Sequence, residues 1–193
     1  DLPAAGAYRL RTTGTAQVLP LQVAPEPLDE DSTRTVEHLN DTDVRQSEVS
    51  GQTTDLRYLG DQVQLLRLDV VFPGVLEYHF VAEPPVLFAR LPLVAGDSWQ
   101  WQLSESGGRT TVTQSTTVRA PERIDVAGGT VDAPVMDTTI TFAGELTGTV
   151  QLTGWFDPAR RTSVRTHQVT DLTYQAFRVV SDTTTDLVSF TPA

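Results

Sequence analysis

Along residues 146–156 apolar and polar positions alternate without interruption. Leu146, Gly148, Val150, Leu152, Gly154 and Phe156 fall on one side, and Thr147, Thr149, Gln151, Thr153 and Trp155 on the other. A period of two held this long predicts a β-strand of fixed register, because a slip of one residue would carry every apolar group into water. The same pattern recurs around it. In Trp99-Gln-Trp101-Gln-Leu103 both tryptophans share a face, and a Thr-rich run then reaches Val118. Glu122 to Thr130 and Ile140-Thr-Phe142 follow, and Asp157-Pro158 turns the chain into Thr162 to Val169. Runs bounded by Gly, Pro or Asp read as consecutive antiparallel strands.

The N-terminal half extends the series. Ala7 to Thr13 predicts a first strand closed by Gly14, and Val18 to Val23 a second. Ala24 to Asp31 reads as a Pro-rich acidic loop, too short to separate domains. Thr33 to Leu39 and Val44 to Val49 flank Asn40-Asp-Thr-Asp43, a turn composition that predicts a hairpin. Leu56 to Leu59 and Val63 to Phe72 flank Gly60-Asp61, a second hairpin signal. In that strand Leu66, Leu68, Val70 and Phe72 share one face while Val63, Leu65 and Val71 populate the other, which predicts a strand covered on both sides. Pro73-Gly74 ends it, and Val75 to Val81 and Val86 to Leu91 surround Glu83-Pro-Pro85. Between Val131 and Phe142 the apolar parity switches around Pro134 to Met136, as a bulge would cause. Leu172 to Val180 and Thr184 to Phe190 complete the count, separated by Ser181-Asp182.

No stretch carries apolar residues at helical spacing over three turns, and any helix after Pro73 is limited to two turns. The expectation is an all-β chain: one domain over residues 1–193, about a dozen to fifteen strands, in a single strongly curled antiparallel sheet. A half-barrel or barrel accommodates the bends and hides the edges better than a flat sandwich.

Composition sharpens this picture. Twenty-eight of the 193 residues are threonine, a β-branched polar residue suited to the wet face of a sheet. The formal net charge of -11 repels phosphate backbones and anionic head groups, which argues against nucleic acid as a partner. All 14 basic residues are arginine, Asn40 is the sole asparagine and isoleucine occurs twice, a bias that suits a GC-rich, actinobacterial genome. The absence of cysteine removes disulfides, thiol nucleophiles and thiolate metal sites. No run reaches the roughly 18 apolar residues of a membrane-spanning helix. A leader before Asp1 is the expectation for an extracytoplasmic protein, either secreted or, where that leader ends at a lipidated cysteine, anchored to the envelope.

Candidate chemistry is sparse. His38, His79 and His167 stand far apart, no Gly-x-Ser-x-Gly elbow occurs, and Ser50-Gly51 falls within a hairpin. Asn40-Asp-Thr-Asp43 lacks the Gly and distant Glu of a calcium loop. Gly107-Gly108 and Gly128-Gly129 sit between strands with no Lys and no following helix, so they read as hairpin turns. No catalytic, metal or cofactor residues are assigned, and an enzyme is not expected. The aromatic residues carry the functional reading. Trp99, Trp101, Phe142, Gly148, Leu152, Gly154 and Phe156 are the candidate ligand-binding residues, lining a hollow inside the curled sheet in which the two glycines leave room.

Three segments carry a family resemblance. Gly6-Ala-Tyr8-Arg-Leu-Arg-Thr-Thr-Gly14, Leu91-Pro-Leu-Val-Ala-Gly96-Asp-Ser-Trp99, and Glu122-Arg-Ile-Asp-Val-Ala-Gly-Gly-Thr-Val-Asp-Ala133 with Gly154-Trp155-Phe156-Asp-Pro158 resemble the TapB-like group of secreted, often lipid-anchored bacterial β-proteins. That group shows Val-Pro-Ala-Gly where this chain has Val126-Ala-Gly-Gly129. The resemblance implies an envelope protein with a curled sheet, similar in outline to lipoprotein carriers and half-barrels, and brings no catalytic residues. Those carriers cover the hollow with helices, which this sequence does not predict. Two function classes follow: a carrier or sensor holding a lipid or other apolar small molecule, and an interaction module of the envelope whose core is filled and whose partner is a protein.

Overall fold

A computed structural model describes residues 2–49, 51–72, 76–126 and 129–192. Twelve strands follow one another: β1 (Gly6–Leu19), β2 (Glu26–His38), β3 (Asp43–Glu48), β4 (Thr53–Leu59), β5 (Gln62–Phe72), β6 (Leu76–Arg90), β7 (Ser98–Ser104), β8 (Thr110–Val126), β9 (Gly129–Gly144), β10 (Leu146–Asp157), β11 (Thr162–Tyr174) and β12 (Phe177–Pro192). No helix occurs among the described residues. The strands form one antiparallel sheet in the order β6-β5-β4-β3-β2-β1-β12-β11-β10-β9-β8-β7. Its two edge strands meet through an isolated bridge, Phe80 opposite Glu105, supported by the Ser106 amide donating to the His79 carbonyl at 3.1 Å. The sheet is therefore nearly closed into a barrel, as the many hairpins and bends predict. The expectations on Ser50, Pro73-Gly74, Val75 and Gly128, and on the Phe72 side chain, fall outside the described residues.

Several strands run longer than their sequence signals. Gly14 does not close β1. It sits inside the strand at φ +142, where a side chain would meet the Asp182 carbonyl oxygen of β12 at 2.1 Å, so it serves a close approach of two backbones. Val18 and Leu19 accordingly belong to β1, and Leu21 and Val23 lie in the turn beyond it. Most of the expected acidic loop is strand β2. Glu26 to Ser32 pair with β1 while β3 covers only Arg34 to His38, and an uncovered edge tolerates Pro27 and a run of acids. Those acids face arginines across the pair, Arg11 with Asp29 at 2.8 Å and Arg9 with Asp31 at 3.4 Å. Likewise β12 continues through Ser181-Asp182, and the turn lies at Gln175, which adopts a positive φ.

Bulges explain the apolar patterns that looked two-sided. Leu66 has no partner on either side: Asp55 and Leu56 of β4 face Arg67 and Leu65, and Val81 and Val86 of β6 face the same two residues. This extra residue moves Leu68 and Val70 onto the face that carries Val63 and Leu65, so β5 presents one apolar face. Opposite it, β6 is one strand, with Ala82 to Pro85 bulged out between its two paired halves. The bulge near Pro134 lies on β8, where Ala120-Pro121 opposes Pro134, so it does not interrupt β9; the parity switch arises because Val135 pairs with outward Trp155 while Met136 pairs with inward Gly154.

Two apolar clusters result. The larger collects Leu65, Tyr78, Phe80, Trp99, Trp101, Val112 and their neighbours from β4 to β11. The smaller joins Tyr8, Leu10, Val36, Val44, Val164 and Leu187 to Ile124 and Ala133, which lie beyond the bulge on the β8–β9 hairpin. Threonine is not confined to the wet face. Thr110, Thr116, Thr162 and Thr170 are buried, and inward pairs such as Thr116–Thr138 satisfy each other at 2.9 Å. Reciprocal hydroxyl bonds remove the cost of burying these groups.

Candidate functional site

The strand register places all seven candidate residues on the inner face. One inward rung runs Trp99, Thr116, Thr138, Leu152, Gln168, Thr183 across β7 to β12. The next rungs carry Trp101 and then Phe142 with Gly148. Trp155 lies on the other face from Gly154 and Phe156. Its indole Nε1 donates to Glu122 at 2.9 Å, tying the β8–β9 hairpin to β10.

Inside the barrel is a cavity of about 230 Å³. Trp99, Leu152, Gly154 and Phe156 line it. The other three candidates do not. Trp101 and Phe142 are 5% and 6% exposed and pack in the larger apolar cluster, where they fill the interior. Gly148 leaves no room: at φ +124 it lies against β11, and a side chain there would meet the Asp171 carbonyl oxygen at 2.1 Å. Gly154 does leave room, since a side chain's nearest neighbours would be the Ser163 hydroxyl at 3.5 Å and the Met136 methyl at 3.9 Å. An inward glycine thus marks either a hollow or a close backbone approach, and the alternation alone does not distinguish them.

Closure of the barrel brings in a second wall that the pattern around Trp99 to Val169 did not reveal. β2 to β6 contribute Arg34, Glu48, Tyr58, Phe88 and Ala89, and the loop after β6 adds Leu91 and Leu93. The sequence held one signal for this wall. Arg34 stands two residues from Val36, so it shares the face of a core residue. The Arg34 guanidinium pairs with Glu48 at 2.7 Å and reaches the Thr162 hydroxyl at 3.5 Å. Burial pushes the Tyr58 phenol up to about 12, which keeps it neutral and a hydrogen-bond donor at any ordinary pH. A second hollow of about 260 Å³ adjoins the cavity and shares Leu91, Leu93, Phe156 and Arg161 with it.

The indole Nε1 of Trp99 is buried and has no hydrogen-bond acceptor among the described residues. A buried donor without a partner costs about 1–3 kcal/mol. Trp101 Nε1 is in the same condition, within the filled part of the core.

The histidines are engaged one by one. His38 lies 2.8 Å from the Pro3 carbonyl, His79 2.9 Å from Asp69 and His167 2.8 Å from Asp182. Among the described residues no group of three or more His, Cys, Asp or Glu side chains could hold a metal ion. No helix of the described residues is long and apolar enough to cross a membrane.

No protein-family model matches the chain, and no curated protein matches it. The resemblance to the TapB-like group therefore rests on the short motifs alone. Among solved structures, the chain is similar to the hypothetical lipoprotein YmcC from Escherichia coli K12, with 12% identity and a TM-score of 0.42 over 95% of this chain and 86% of that one.

Proposed function

We propose that this chain is a non-enzymatic, extracytoplasmic β-protein of the bacterial envelope that holds a small ligand with an apolar body inside its barrel. The observation that carries the reading is the 230 Å³ cavity walled by Trp99, Leu152 and Phe156 on one side and Phe88, Leu91 and Leu93 on the other. Its size restricts the ligand. Pockets for drug-sized molecules run from roughly 300 to 1,000 Å³. At about 30 Å³ per water-sized group, the cavity takes a chain of about eight carbons or one ring system. A two-chain phospholipid would leave most of its acyl surface outside. Burying eight methylenes contributes about 6 kcal/mol at ~0.8 each, and the entropy of capture reduces the affinity to about 0.1–1 mM.

Titration with 1-octanol and with octanoate, followed by tryptophan fluorescence, tests this reading. The expected result is a saturable change with at least one probe that is lost in Gly154→Leu, whose side chain fills the cavity while its melting temperature stays near that of the parent. If neither probe gives a saturable change, the interior takes no ligand, and the filled-core interaction module becomes the better description. The compartment is a separate question. Fractionation of cells expressing the full gene should place the protein outside the cytoplasm, and recovery with the cytoplasmic proteins would overturn that part of the reading.

A further inference from the structure

The turn between β1 and β2 is an uncharged, apolar tip on a strongly acidic molecule. From Val18 to Pro25 the chain reads Val-Leu-Pro-Leu-Gln-Val-Ala-Pro, with no ionisable side chain, in a protein of net charge -11. Val23 is 100% exposed and Leu21 71%, and with Val49 they are the most exposed large apolar side chains among the described residues. Val49 lies farther down the wall, because Glu48 beside it pairs with Arg34, well inside β2. The tip stands at the rim of the barrel. Leu19, the last paired residue of β1, faces Arg178 at the start of β12, and Arg178 is itself paired with Asp171 at 2.7 Å. Exposed apolar side chains gathered in one place mark an interaction site.

The hydrogen bonding of the tip indicates what covers it. Gln22 is the one polar side chain between Pro20 and Pro25, and its polar groups are turned back into the turn. Its amide N–H donates to the Val18 carbonyl at 2.9 Å, its Oε1 accepts from the Val18 amide at 2.6 Å, and its carbonyl accepts from Gln17 Nε2 at 3.2 Å. Pro20 and Pro25 carry no amide N–H that would need a partner. Hydrocarbon supplies no hydrogen bonds, so a segment without charge and with its polar side chain bonded within the turn loses least on entering it. We propose that the β1–β2 turn inserts Leu21 and Val23 into the surface of an uncharged lipid layer and holds the rim of the barrel against it. Charge selects the head group, since an anionic surface repels a protein of net charge -11 and the tip has no basic residue to offset this. This docking does not depend on whether the cavity takes a ligand.

Sedimentation of the wild-type chain with sucrose-loaded phosphatidylcholine vesicles tests the proposal. Two side chains bury less apolar surface than one acyl anchor, so accessible lipid is raised to about 10 mM. The expected result is binding that falls about tenfold or more in the double variant Leu21→Ser/Val23→Ser, with thermal melts checking that it is folded. Val94→Ser removes an exposed apolar side chain from the β6–β7 loop, at the other end of the barrel, and should leave binding unchanged. Because the chain has no cysteine, a fluorophore on Val23→Cys reports the tip alone, and acyl chains carrying a nitroxide should quench it. Absence of sedimentation at this lipid concentration overturns the proposal and leaves the tip to a protein partner. Equal loss in Val94→Ser, or a label that acyl-chain nitroxides do not quench, also overturns it. Tighter binding to phosphatidylglycerol than to phosphatidylcholine vesicles overturns the choice of an uncharged surface.

Discussion

Gly148 and Gly154 stand six residues apart on the same face of the same strand, and they do opposite things. At Gly148 a methyl group would strike the Asp171 carbonyl, and the φ of +124 strains any other residue. Gly148→Ala is expected to cost about 3 kcal/mol or more. At Gly154 the neighbours stand at ordinary contact distance. Gly154→Ala should be neutral or stabilising by up to about 1 kcal/mol, through the unfolded chain. Paired urea melts check the contrast, and similar midpoints for the two variants would refute it. Asp43 offers a test in pH. It is 7% exposed and accepts from Arg57 at 2.8 Å through both carboxyl oxygens, with further bonds from Asn40 and Thr42. Its hydrogen bond to Arg57, more than any other contact, holds the carboxyl well below the usual range. The folded state therefore favours the charged form, and this stability is present above the ordinary value of about 3.9 and disappears as pH falls through the depressed one. Asp43→Asn should lower stability by about 2 kcal/mol at neutral pH, roughly 4–8 °C in melting temperature. The gap to wild type should narrow below about pH 4. A gap independent of pH would show that the charge is not the source.

Among the elements, the β8–β9 hairpin departs furthest from a regular barrel strand pair. Past the bulge at Ala120-Pro121 it brings Ile124 and Ala133 against Val164 and Leu187, and its attachment to β10 is the hydrogen bond from Trp155 to Glu122. That bond is the first cause of the lowered Glu122 carboxyl, ahead of the bond from Arg119. Trp155→Phe keeps most of the ring contact and removes the donor, at a cost of about 1 kcal/mol. Because the loss is local, trypsin should cut after Arg123 severalfold faster in the variant, while the global melting temperature moves by only a few degrees. Cleavage at an unchanged rate would mean that apolar packing alone holds the hairpin.

For the whole molecule, the seam between β6 and β7 is where the sheet is least complete. Every other neighbouring pair forms a ladder of at least five paired residues, whereas among the described residues this pair is joined by one bridge and by the Ser106 amide and hydroxyl donating to the His79 carbonyl. Amides of residues 76–90 and 98–104 should therefore exchange with deuterium before those of residues 146–174, in mass spectrometry of the native protein. Slower exchange at β7 than at β10 would show that side-chain packing of Trp99, Trp101 and Leu103 against β6 closes the seam as firmly as a ladder does.

The sequence by itself determined the strand character of the chain, the inward face of β7 and β10, and the hairpins at Asn40 and Gly60, because each of these follows from alternation and turn chemistry within a dozen residues. It also determined that Trp99, Leu152, Gly154 and Phe156 face the same interior. Tertiary structure decided the rest. The lengths of β1, β2 and β12 depend on what lies beside Gly14, Glu26 and Ser181, and a local pattern does not report its neighbour across a sheet. Whether Leu66 belongs to a covered strand or a bulge depends on the register of β4 and β6 together. The opposite roles of Gly148 and Gly154 depend on the distance to β11, and the second wall of the cavity, with Arg34 and Glu48 on it, exists only because β6 returns to β7. Period and propensity act over a few residues, while a barrel's interior is set by which strands meet at closure, and that choice is made by the chain as a whole.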